Sequence, residues 1–543
     1  MATAKLIKKR NIKNYSPLNL CVNVNFMYFW ELNEFYTLKI SENFFGNKIF
    51  NRNKLLIIME VKDLKPTLIW QCFDEITKIP RPSCHEEKIR DFLLDFAKKH
   101  NIKAKTDKVG NVVMMKPASP GKETAPVVVL QSHMDMVAEK NGDVEHDFLT
   151  DPIKTFIDGD WVKAKGTTLG ADNGIGMAAS LAVMADDSLT HGPLEALFTV
   201  NEEIGLEGAE NLEPDMISGK ILINLDSEDD GEIFIGCAGG IDTTATFTYK
   251  KSFSPENFTY FKVSVSGLLG GHSGGDIHLG RANANKLISR FIWQCSNKWD
   301  IEVSSFRGGN LRNAIPREAE AVFGIHSKHS EEVTTYLYKY AEEIRNEYKG
   351  IEPSMEMKIV STDRPEFCID STTSLTLVRA LYSAPHGVIS MSRELENLVE
   401  TSTNLAAVKM VDDNKIVVTT SQRSSLESRK NDIAGQVEAH FQLAGAEVAH
   451  SDGYPGWAPD INSNIMKISS DAYEELFGVK PQIKAIHAGL ECGLFLSKYP
   501  HLDMVSFGPT MRDVHSPDEK LLIPTVDKFW KHLTKVLEKV ASL

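Results

Sequence analysis

Histidines and acidic residues of the kinds that bind metal ions recur through the first half of the chain, and one more histidine follows near its end. The set comprises His133 and Asp135 in QSHMD, Asp172 in LGADNG, Glu202 and Glu203 in VNEEIG, Asp226 in NLDSED, and His515 in HSPDE. Zinc takes imidazole nitrogen and carboxylate oxygen, and a catalytic zinc keeps one position open beside three protein ligands. The residue types therefore indicate a metal site that could activate water.

Three of these motifs stand where an apolar run ends. Two residues separate the run VVVL from His133, LEALFTV ends just before Asn201 and Glu202, and ILINL ends just before Asp226. Apolar runs of this length predict buried strands, and open α/β sheets place their sites at the carboxyl ends of the strands. We therefore expect these side chains to meet at one edge of a sheet.

The ligands divide into two sets of three if one carboxylate is shared. Two metal ions about 3.5 to 4 Å apart repel each other strongly, and a bridging carboxylate offsets that repulsion. Asp172 is the candidate for the bridge. His133 and Asp226 would then complete the first set, and Glu203 and His515 would complete the second.

Two further acids have roles that do not require metal binding. A carboxylate beside the metals can take a proton from the attacking water, and Glu202, adjacent to the ligand Glu203, is placed for it. Asp135, two residues after His133, is placed to accept a hydrogen bond from the second ring nitrogen of that ligand. His133 with Asp135, or Glu202 with Glu203, would by itself usually be structural or solvated. The ordered combination of all the motifs, in contrast, indicates a metal site.

Composition narrows the class of protein. The 543 residues carry a formal net charge of −14, with 42% hydrophobic and 25% charged residues, which is typical of a globular enzyme with more than one domain. The negative charge argues against a nucleic-acid partner. The 7 cysteines are scattered, odd in number and without a CxxC pair, so they predict neither a disulfide framework nor a zinc knuckle. A reducing compartment, the cytoplasm, fits best.

The first 58 residues differ from the rest, being rich in Asn, Lys, Phe and Tyr. They hold no apolar run near the roughly 20 residues that a membrane span needs, and no convincing signal peptide. We expect an extension outside the fold, with Met59 as the alternative start. A protein that starts at Met59 should then be folded and active.

From Met59 the pattern predicts an α/β fold interrupted by a second domain. Apolar residues at helical spacing alternate with strand-like runs up to about Gly239, and alternating runs such as FKVSVSG and KIVVTT then indicate an antiparallel sheet. The α/β signature returns after about Leu443. The predicted division is a catalytic domain of residues 59–239 and 443–543, with residues 240–442 inserted. No internal repeat is visible.

Longer motifs connect the chain to a known family. They are GTTLGADNGIGMA, GCAGGID, GGHSGGDIH, LRNAIPREA, YPGWAPD and IHAGLECGLF, in addition to the five short motifs above. In this order they resemble the dinuclear zinc exopeptidases of the aminoacylase and carboxypeptidase group, and within it the aminoacyl-histidine (Xaa-His) dipeptidases. The resemblance covers Glu60 to Leu543 and leaves out the extension.

The resemblance implies a zinc-exopeptidase-like α/β catalytic domain with an inserted α+β lid domain, and a homodimer formed through that lid. It implies two divalent metal ions, zinc with manganese or cobalt as alternatives, and hydrolysis of Xaa-His and other dipeptides. His272 resembles a lid histidine that contacts the scissile carbonyl, and in the family's dimer arrangement it would reach the other subunit's site. Asn313 and Arg423 match substrate-binding positions. His487 is either a buried structural histidine or a substrate contact.

Two other functions fit the same residues. A related N-acyl amino acid amidohydrolase would share every metal ligand and differ only in substrate. A non-catalytic metal-binding scaffold would need no general base, so the presence of both Glu202 and Asp135 beside the ligands argues against it.

Overall fold

Two large β-sheets organise the chain in a computed structural model that describes residues 60–412 and 414–543. The extension predicted for residues 1–58 lies outside the described residues. The helices are α1 (Thr67–Ile76), α2 (Glu87–Lys99), α3 (Ala171–Ala185), α4 (Glu207–Glu210), α5 (Ala284–Ser296), α6 (Ser330–Glu347), α7 (Ser371–Ser383), α8 (Glu427–Leu443), α9 (Asn464–Phe477), α10 (Glu491–Lys498) and α11 (Ile523–Val540).

The strands follow in chain order. They are β1 (Lys103–Thr106), β2 (Val112–Lys116), β3 (Val128–His133), β4 (Thr155–Asp158), β5 (Trp161–Ala164), β6 (Leu194–Thr199), β7 (Ile221–Asn224), β8 (Glu232–Cys237), β9 (Gly239–Thr248), β10 (Lys251–Ser252), β11 (Phe258–Ser266), β12 (Gly271–His272), β13 (Ile301–Gly308), β14 (Ala314–Ile315), β15 (Ala319–His326), β16 (Glu356–Thr362), β17 (Cys368–Ile369), β18 (Gly387–Met391), β19 (Val399–Val411), β20 (Lys415–Ser424), β21 (Glu447–His450), β22 (Gln482–Ile486), β23 (Asp503–Ser506), β24 (Met511–Arg512) and β25 (Lys520–Leu522).

The first sheet has the order β1-β2-β6-β3-β7-β23-β8-β22 and forms the centre of the catalytic domain. Strand β3 lies between β6 and β7 and is parallel to both. Every residue of these three strands is buried, as expected for parallel strands covered on both faces. The small residues of the buried helix α3 let it lie close against β3 and α1. His133 ends β3, and β6 and β7 end shortly before Glu202 and Asp226, so the predicted strand ends are confirmed.

The second sheet consists of two halves with the same topology. Each half runs strand, helix, strand, strand, helix, strand: β11-α5-β13-β15-α6-β16 in one, and β9-α7-β19-β20-α8-β21 in the other. Their strand orders are β16-β11-β15-β13 and β21-β9-β20-β19, the ferredoxin-like arrangement in both cases. The first half is inserted in the second after β9. The halves meet edge to edge where Gly308 of β13 pairs with Val408 of β19.

The predicted fold class is confirmed: an α/β catalytic domain holds an inserted α+β domain, which we call the lid domain. The lid sheet continues to His450 at the end of β21, beyond the predicted boundary near Leu443. The duplication within the lid was not predicted. Every cysteine that the structure describes is free, and the described helices include none long and apolar enough to cross a membrane.

Candidate metal centre

The first predicted ligand set comes together at the ends of β3 and β7. The Nε2 atom of His133 lies 3.1 Å from Oδ1 of Asp172 and 3.5 Å from Oδ1 of Asp226. Ligand atoms of all three residues lie within 4.8 Å of one another. The histidine side chain is 1% exposed, so this set is enclosed by protein.

The second set forms on the other side of Asp172. The Nε2 atom of His515 lies 3.1 Å from Oδ2 of Asp172 and 2.9 Å from Oε2 of Glu203. Asp172 thus directs one carboxylate oxygen towards each histidine. This is the placement that a carboxylate shared by two cations requires.

Unusual backbone conformations direct the ligand side chains towards the centre. Asp172 lies in the first turn of α3, but its φ of −80° and ψ of 113° are extended, so its side chain does not follow the helix. His515 and Asn201 have φ values of 61° and 52°, which are uncommon for residues with a Cβ. The Asn201 side chain holds its turn by accepting the backbone N–H of Cys84 at 2.7 Å. That turn delivers the next two residues, Glu202 and Glu203, to the centre.

The charges of the cluster fit bound cations. Burial opposes ionisation of Asp172, yet hydrogen bonds with His133 and His515 hold its pKa well below the usual range. Hydrogen bonds to Asp172 and Glu203 raise the pKa of His515 to about 11. The Oε1 atom of Glu203 is buried and has no hydrogen-bond partner among the described residues. Anionic carboxylates therefore surround both histidines, and divalent cations that displace the histidine proton would be held by the same charges, so the donor set fits two metal ions.

Asp135 organises the residues around the centre. One oxygen lies 3.3 Å from Nδ1 of His133 and accepts the backbone N–H of Glu202 at 3.0 Å. The other accepts the N–H of Glu203 at 3.2 Å and the hydroxyl of Ser83 at 2.8 Å. The fully buried carboxylate therefore orients the histidine and fixes the turn that carries both glutamates.

Glu202 has the electrostatic setting of a proton acceptor. Burial raises its pKa well above the ordinary value, and the charges of Asp226 and Glu203 add to the increase. A carboxylate with a raised pKa holds a proton more readily at neutral pH. Glu202 also lies within 4.8 Å of ligand atoms of His133 and Glu203, so its role as base rather than ligand stays a prediction.

Two buried residues that the sequence did not single out hold the loop before Asp172. The guanidinium of Arg81 donates to the carbonyl oxygens of Asp135 at 2.6 Å and of Gly170. Gly170 has a φ of 68°, and a Cβ at this position would lie 2.6 Å from Arg81 Nη2. Only glycine therefore allows the guanidinium to approach so closely.

Glu519 holds the same loop from the other side. Its carboxylate, 2% exposed, accepts four consecutive backbone N–H groups. The donors are Leu169 at 2.7 Å, Gly170 at 2.9 Å, Ala171 at 2.7 Å and Asp172 at 3.3 Å. The signal was present in the sequence, because Glu519 is the last residue of HSPDE.

A buried chain of hydrogen bonds runs beneath the ligands. Gln131 donates to Glu491 at 2.5 Å and accepts from Asn224 at 2.5 Å, and Thr199 donates to Glu491 at 2.9 Å. Burial raises the pKa of Glu491 to about 8. The strands that end in the metal ligands are thus connected through their own polar side chains.

His272 lies on β12 of the lid domain, where its ring is fixed by a glycine-rich loop. Its Nδ1 accepts the backbone N–H groups of Gly274 at 3.3 Å and Gly275 at 3.1 Å. Because Nδ1 is an acceptor, the proton of the neutral ring must lie on Nε2. Burial and the charge of Arg423 lower the pKa of His272, which favours this neutral form.

The loop that carries His272 rests on the catalytic domain of the same chain. A Cβ on Gly274 would lie 2.1 Å from the carbonyl oxygen of His487, so the two backbones are in direct contact. His487 is 6% exposed, and its Nε2 lies 2.7 Å from the hydroxyl of Ser402 on β19. Burial and the charge of Arg423 lower its pKa to about 3. His487 is therefore a neutral link between the domains.

Asn313 and Arg423 lie on one cavity of about 380 Å³. Its lining includes Gly205 and Leu206 from the loop after Glu203, so the cavity opens between the two domains. Arg423 is 7% exposed, and its Nε has no hydrogen-bond partner among the described residues. A buried guanidinium with a free donor is suited to an anionic group of a ligand.

Known proteins resemble this chain over most of its length. The model of the peptidase family M20/M25/M40 matches residues 129–539. The chain is 43% identical over 483 residues to the cytosol non-specific dipeptidase of Escherichia coli (strain K12), covering 89% of this chain and 99% of that protein. The structure of aminoacylhistidine dipeptidase from Vibrio alginolyticus matches with a TM-score of 0.82 and 45% identity over 89% of this chain and 98% of that one. A tripeptidase from Staphylococcus aureus, 15% identical with a TM-score of 0.53, shares the fold over 88% of this chain and all of its own.

Proposed function

Because the chain belongs to the peptidase family M20/M25/M40, we propose that it is a metal-dependent dipeptidase. The observation that carries the proposal is the position of Asp172 between two ligand sets, with one oxygen 3.1 Å from His133 and the other 3.1 Å from His515. The two relatives that are 43% and 45% identical to the chain are both named dipeptidases.

Two divalent cations, when bound there, would polarise the scissile carbonyl and lower the pKa of the attacking water. Glu202 accepts a proton from that water and returns it to the nitrogen of the leaving amine. Asp135 keeps the ring of His133 in its ligand orientation and holds the Glu202 backbone in place. The protein side of the mechanism therefore depends on one base and one orienting acid.

The lid domain supplies contacts to the peptide. His272, neutral with its proton on Nε2, donates a hydrogen bond to the oxyanion that develops from the carbonyl. Arg423 binds the C-terminal carboxylate in the cavity, and Asn313 contributes a polar group beside it. His487 holds the two domains together on this side.

The finer assignments extend this proposal. The substrates are dipeptides with C-terminal histidine and a wider range of other dipeptides, in agreement with the names of both relatives. The metal ions are zinc, with manganese or cobalt as alternatives, since all three accept nitrogen and oxygen ligands. The enzyme acts in the cytoplasm. A homodimer through the lid stays a separate proposal.

One experiment separates this function from its alternatives. Full-length protein is stripped with a chelator, replenished with zinc, manganese or cobalt, and assayed on a panel of dipeptides and N-acyl amino acids. Metal-dependent hydrolysis of the dipeptides is expected. Preference for the N-acyl amino acids would indicate the amidohydrolase instead. If neither dipeptides nor N-acyl amino acids were hydrolysed, the non-catalytic metal-binding scaffold would be the remaining alternative.

A further inference from the structure

Tyr454 lies where the chain returns from the lid domain to the catalytic domain. Its backbone pairs with Gly240, at the start of the lid, through bonds of 2.8 Å from its N–H and 3.1 Å to its carbonyl oxygen. A second bridge pairs Trp457 with Cys237. The two crossings between the domains therefore run side by side, and Tyr454 is held in one of them.

The aromatic ring of Tyr454 is enclosed by two glycines. A Cβ on Gly240 would lie 2.7 Å from its Cζ, and a Cβ on Gly489 would lie 2.8 Å from its Cε2. Lys430 also donates to the Tyr454 carbonyl oxygen at 2.8 Å. Gly240 begins the lid and Gly489 follows His487, so the ring position is set by both domains.

The hydroxyl of Tyr454 forms a hydrogen bond with the buried guanidinium of Arg423. Nη1 of Arg423 donates to Oη of Tyr454 at 2.8 Å, and no carboxylate forms an ion pair with Arg423 among the described residues. The nearby Asp242 is instead paired with Arg312 at 3.1 Å. A phenol is a neutral acceptor, so it orients the guanidinium without cancelling the charge that an anion would need.

We propose that Tyr454 is a positioning residue that holds Arg423 in the orientation for binding the C-terminal carboxylate of a dipeptide. This inference rests on the proposed function of the site. Tyr454 and Arg423 both line the cavity of about 380 Å³. With Nη1 engaged by the phenol, Nε and Nη2 form the edge that can grip a carboxylate with two parallel hydrogen bonds.

The test compares Tyr454→Phe with wild type on a dipeptide and on the same dipeptide with a C-terminal amide. The variant removes only the hydroxyl, so KM for the dipeptide should rise on the order of tenfold while kcat changes little, as for loss of one hydrogen bond to a charged group. The amide lacks the carboxylate, so its kcat/KM should be unchanged. Tyr340→Phe is the control, since it removes a buried hydroxyl that donates to the Leu287 carbonyl oxygen at 2.8 Å.

A double-mutant cycle completes the test. In an Arg423→Ala background, Tyr454→Phe should have no further effect on KM, because the guanidinium on which the phenol acts is gone. Equal losses on dipeptide and amide, an unchanged KM, or additive effects in the double variant would each overturn the inference. Failure of the proposed function would look different, since wild type itself would then not hydrolyse the dipeptide.

Discussion

Glu519 fixes the backbone of Asp172 by accepting its N–H group at 3.3 Å, together with the N–H groups of the three residues before it. Asp172 is the one residue shared by both ligand sets. A carboxylate four residues after the ligand His515 thus sets the position of the proposed bridge. Arg81 holds the opposite side of the same loop through the Gly170 carbonyl oxygen.

Glu519→Gln should weaken metal binding without unfolding the protein. The amide offers only one acceptor oxygen, and its NH₂ group would face two backbone N–H donors, so the loop should shift. Loss of an outer-shell contact of this kind typically costs about 10- to 100-fold in metal affinity. Competition with a chromophoric chelator measures the change. Asp518→Asn, at the exposed neighbouring position, is the control, and equal affinities in both variants would contradict the role.

Asp172→Ala should lose both metal ions and nearly all activity, because each ligand set keeps only two protein ligands without it. Elemental analysis of the purified variant gives the answer directly. Asp226→Ala serves as the comparison, since it removes a ligand from the first set alone and should leave one ion bound. Two ions retained in the Asp172 variant would refute the bridge.

Glu202 and Glu203 are neighbours that should respond differently to the same change. Glu202→Gln removes the base and should retain both metals while kcat falls by on the order of 10²- to 10⁴-fold, the usual worth of general acid–base catalysis. Glu203→Gln should instead weaken metal binding, because its Oε2 lies 2.9 Å from His515 in the second ligand set. Metal titration and steady-state kinetics on both variants distinguish the two roles. If Glu202→Gln lost metal and Glu203→Gln lost only kcat, the roles of the two glutamates would be exchanged.

The sequence predicted the residues of the centre because strand ends leave a local signal. An apolar run followed by His133, Glu202 or Asp226 shows both where a parallel strand ends and which side chain emerges there. Arg81 left no such signal, and Glu519 was marked only by its place in HSPDE, which does not show what it contacts. Their function comes from hydrogen bonds to the backbone of residues 169–172, and backbone acceptors and donors are the same for any sequence.

The duplication within the lid domain could not be predicted from the sequence for a related reason. Strand alternation and amphipathic helices suffice to specify a ferredoxin-like half, so two halves can share topology without sharing recognisable motifs. The insertion of one half after β9 of the other also separates equivalent elements along the chain. The edge-to-edge pairing of Gly308 with Val408 joins them in one sheet within one chain.

The buried Glu491 should make stability depend on pH. Its folded pKa of about 8 exceeds the ordinary value of 4.5, so between these values the folded state binds more protons than the unfolded state. Stability should therefore fall as pH rises through this range. Glu491→Gln cannot ionise and keeps an acceptor for Gln131 and Thr199, so its Tm relative to wild type should increase from pH 5 to pH 8.

Thermal unfolding of chelated protein across that range measures the effect, since bound cations would lower the pKa of Glu491. Glu447→Gln, which removes an exposed carboxylate from β21, is the control and should show a constant Tm difference. A constant difference for Glu491→Gln as well would show that this carboxyl is ionised in the fold.

The position of His272 predicts that each chain completes its own active site. The family's dimer arrangement would place this histidine in the other subunit's site, but its loop here contacts His487 of the same chain through Gly274. His272→Ala should keep both metals and a nearly unchanged KM while kcat falls by roughly 10²- to 10³-fold, the scale for losing one oxyanion donor. His278→Ala, at an exposed position of the same loop region, should retain near-normal kcat.

Complementation then separates action within one chain from action across a dimer. Differently tagged His272→Ala and Glu202→Gln chains are co-expressed, and any mixed species is isolated through both tags. A histidine that acts in its own chain leaves every site in the mixture with one defect, so activity should not exceed the average of the two variants. If the histidine crossed to the other subunit, one site of each mixed dimer would hold both intact residues, and activity would rise far above that average. Such a rise would overturn the placement of His272, whereas a near-normal kcat in His272→Ala alone would refute its oxyanion role.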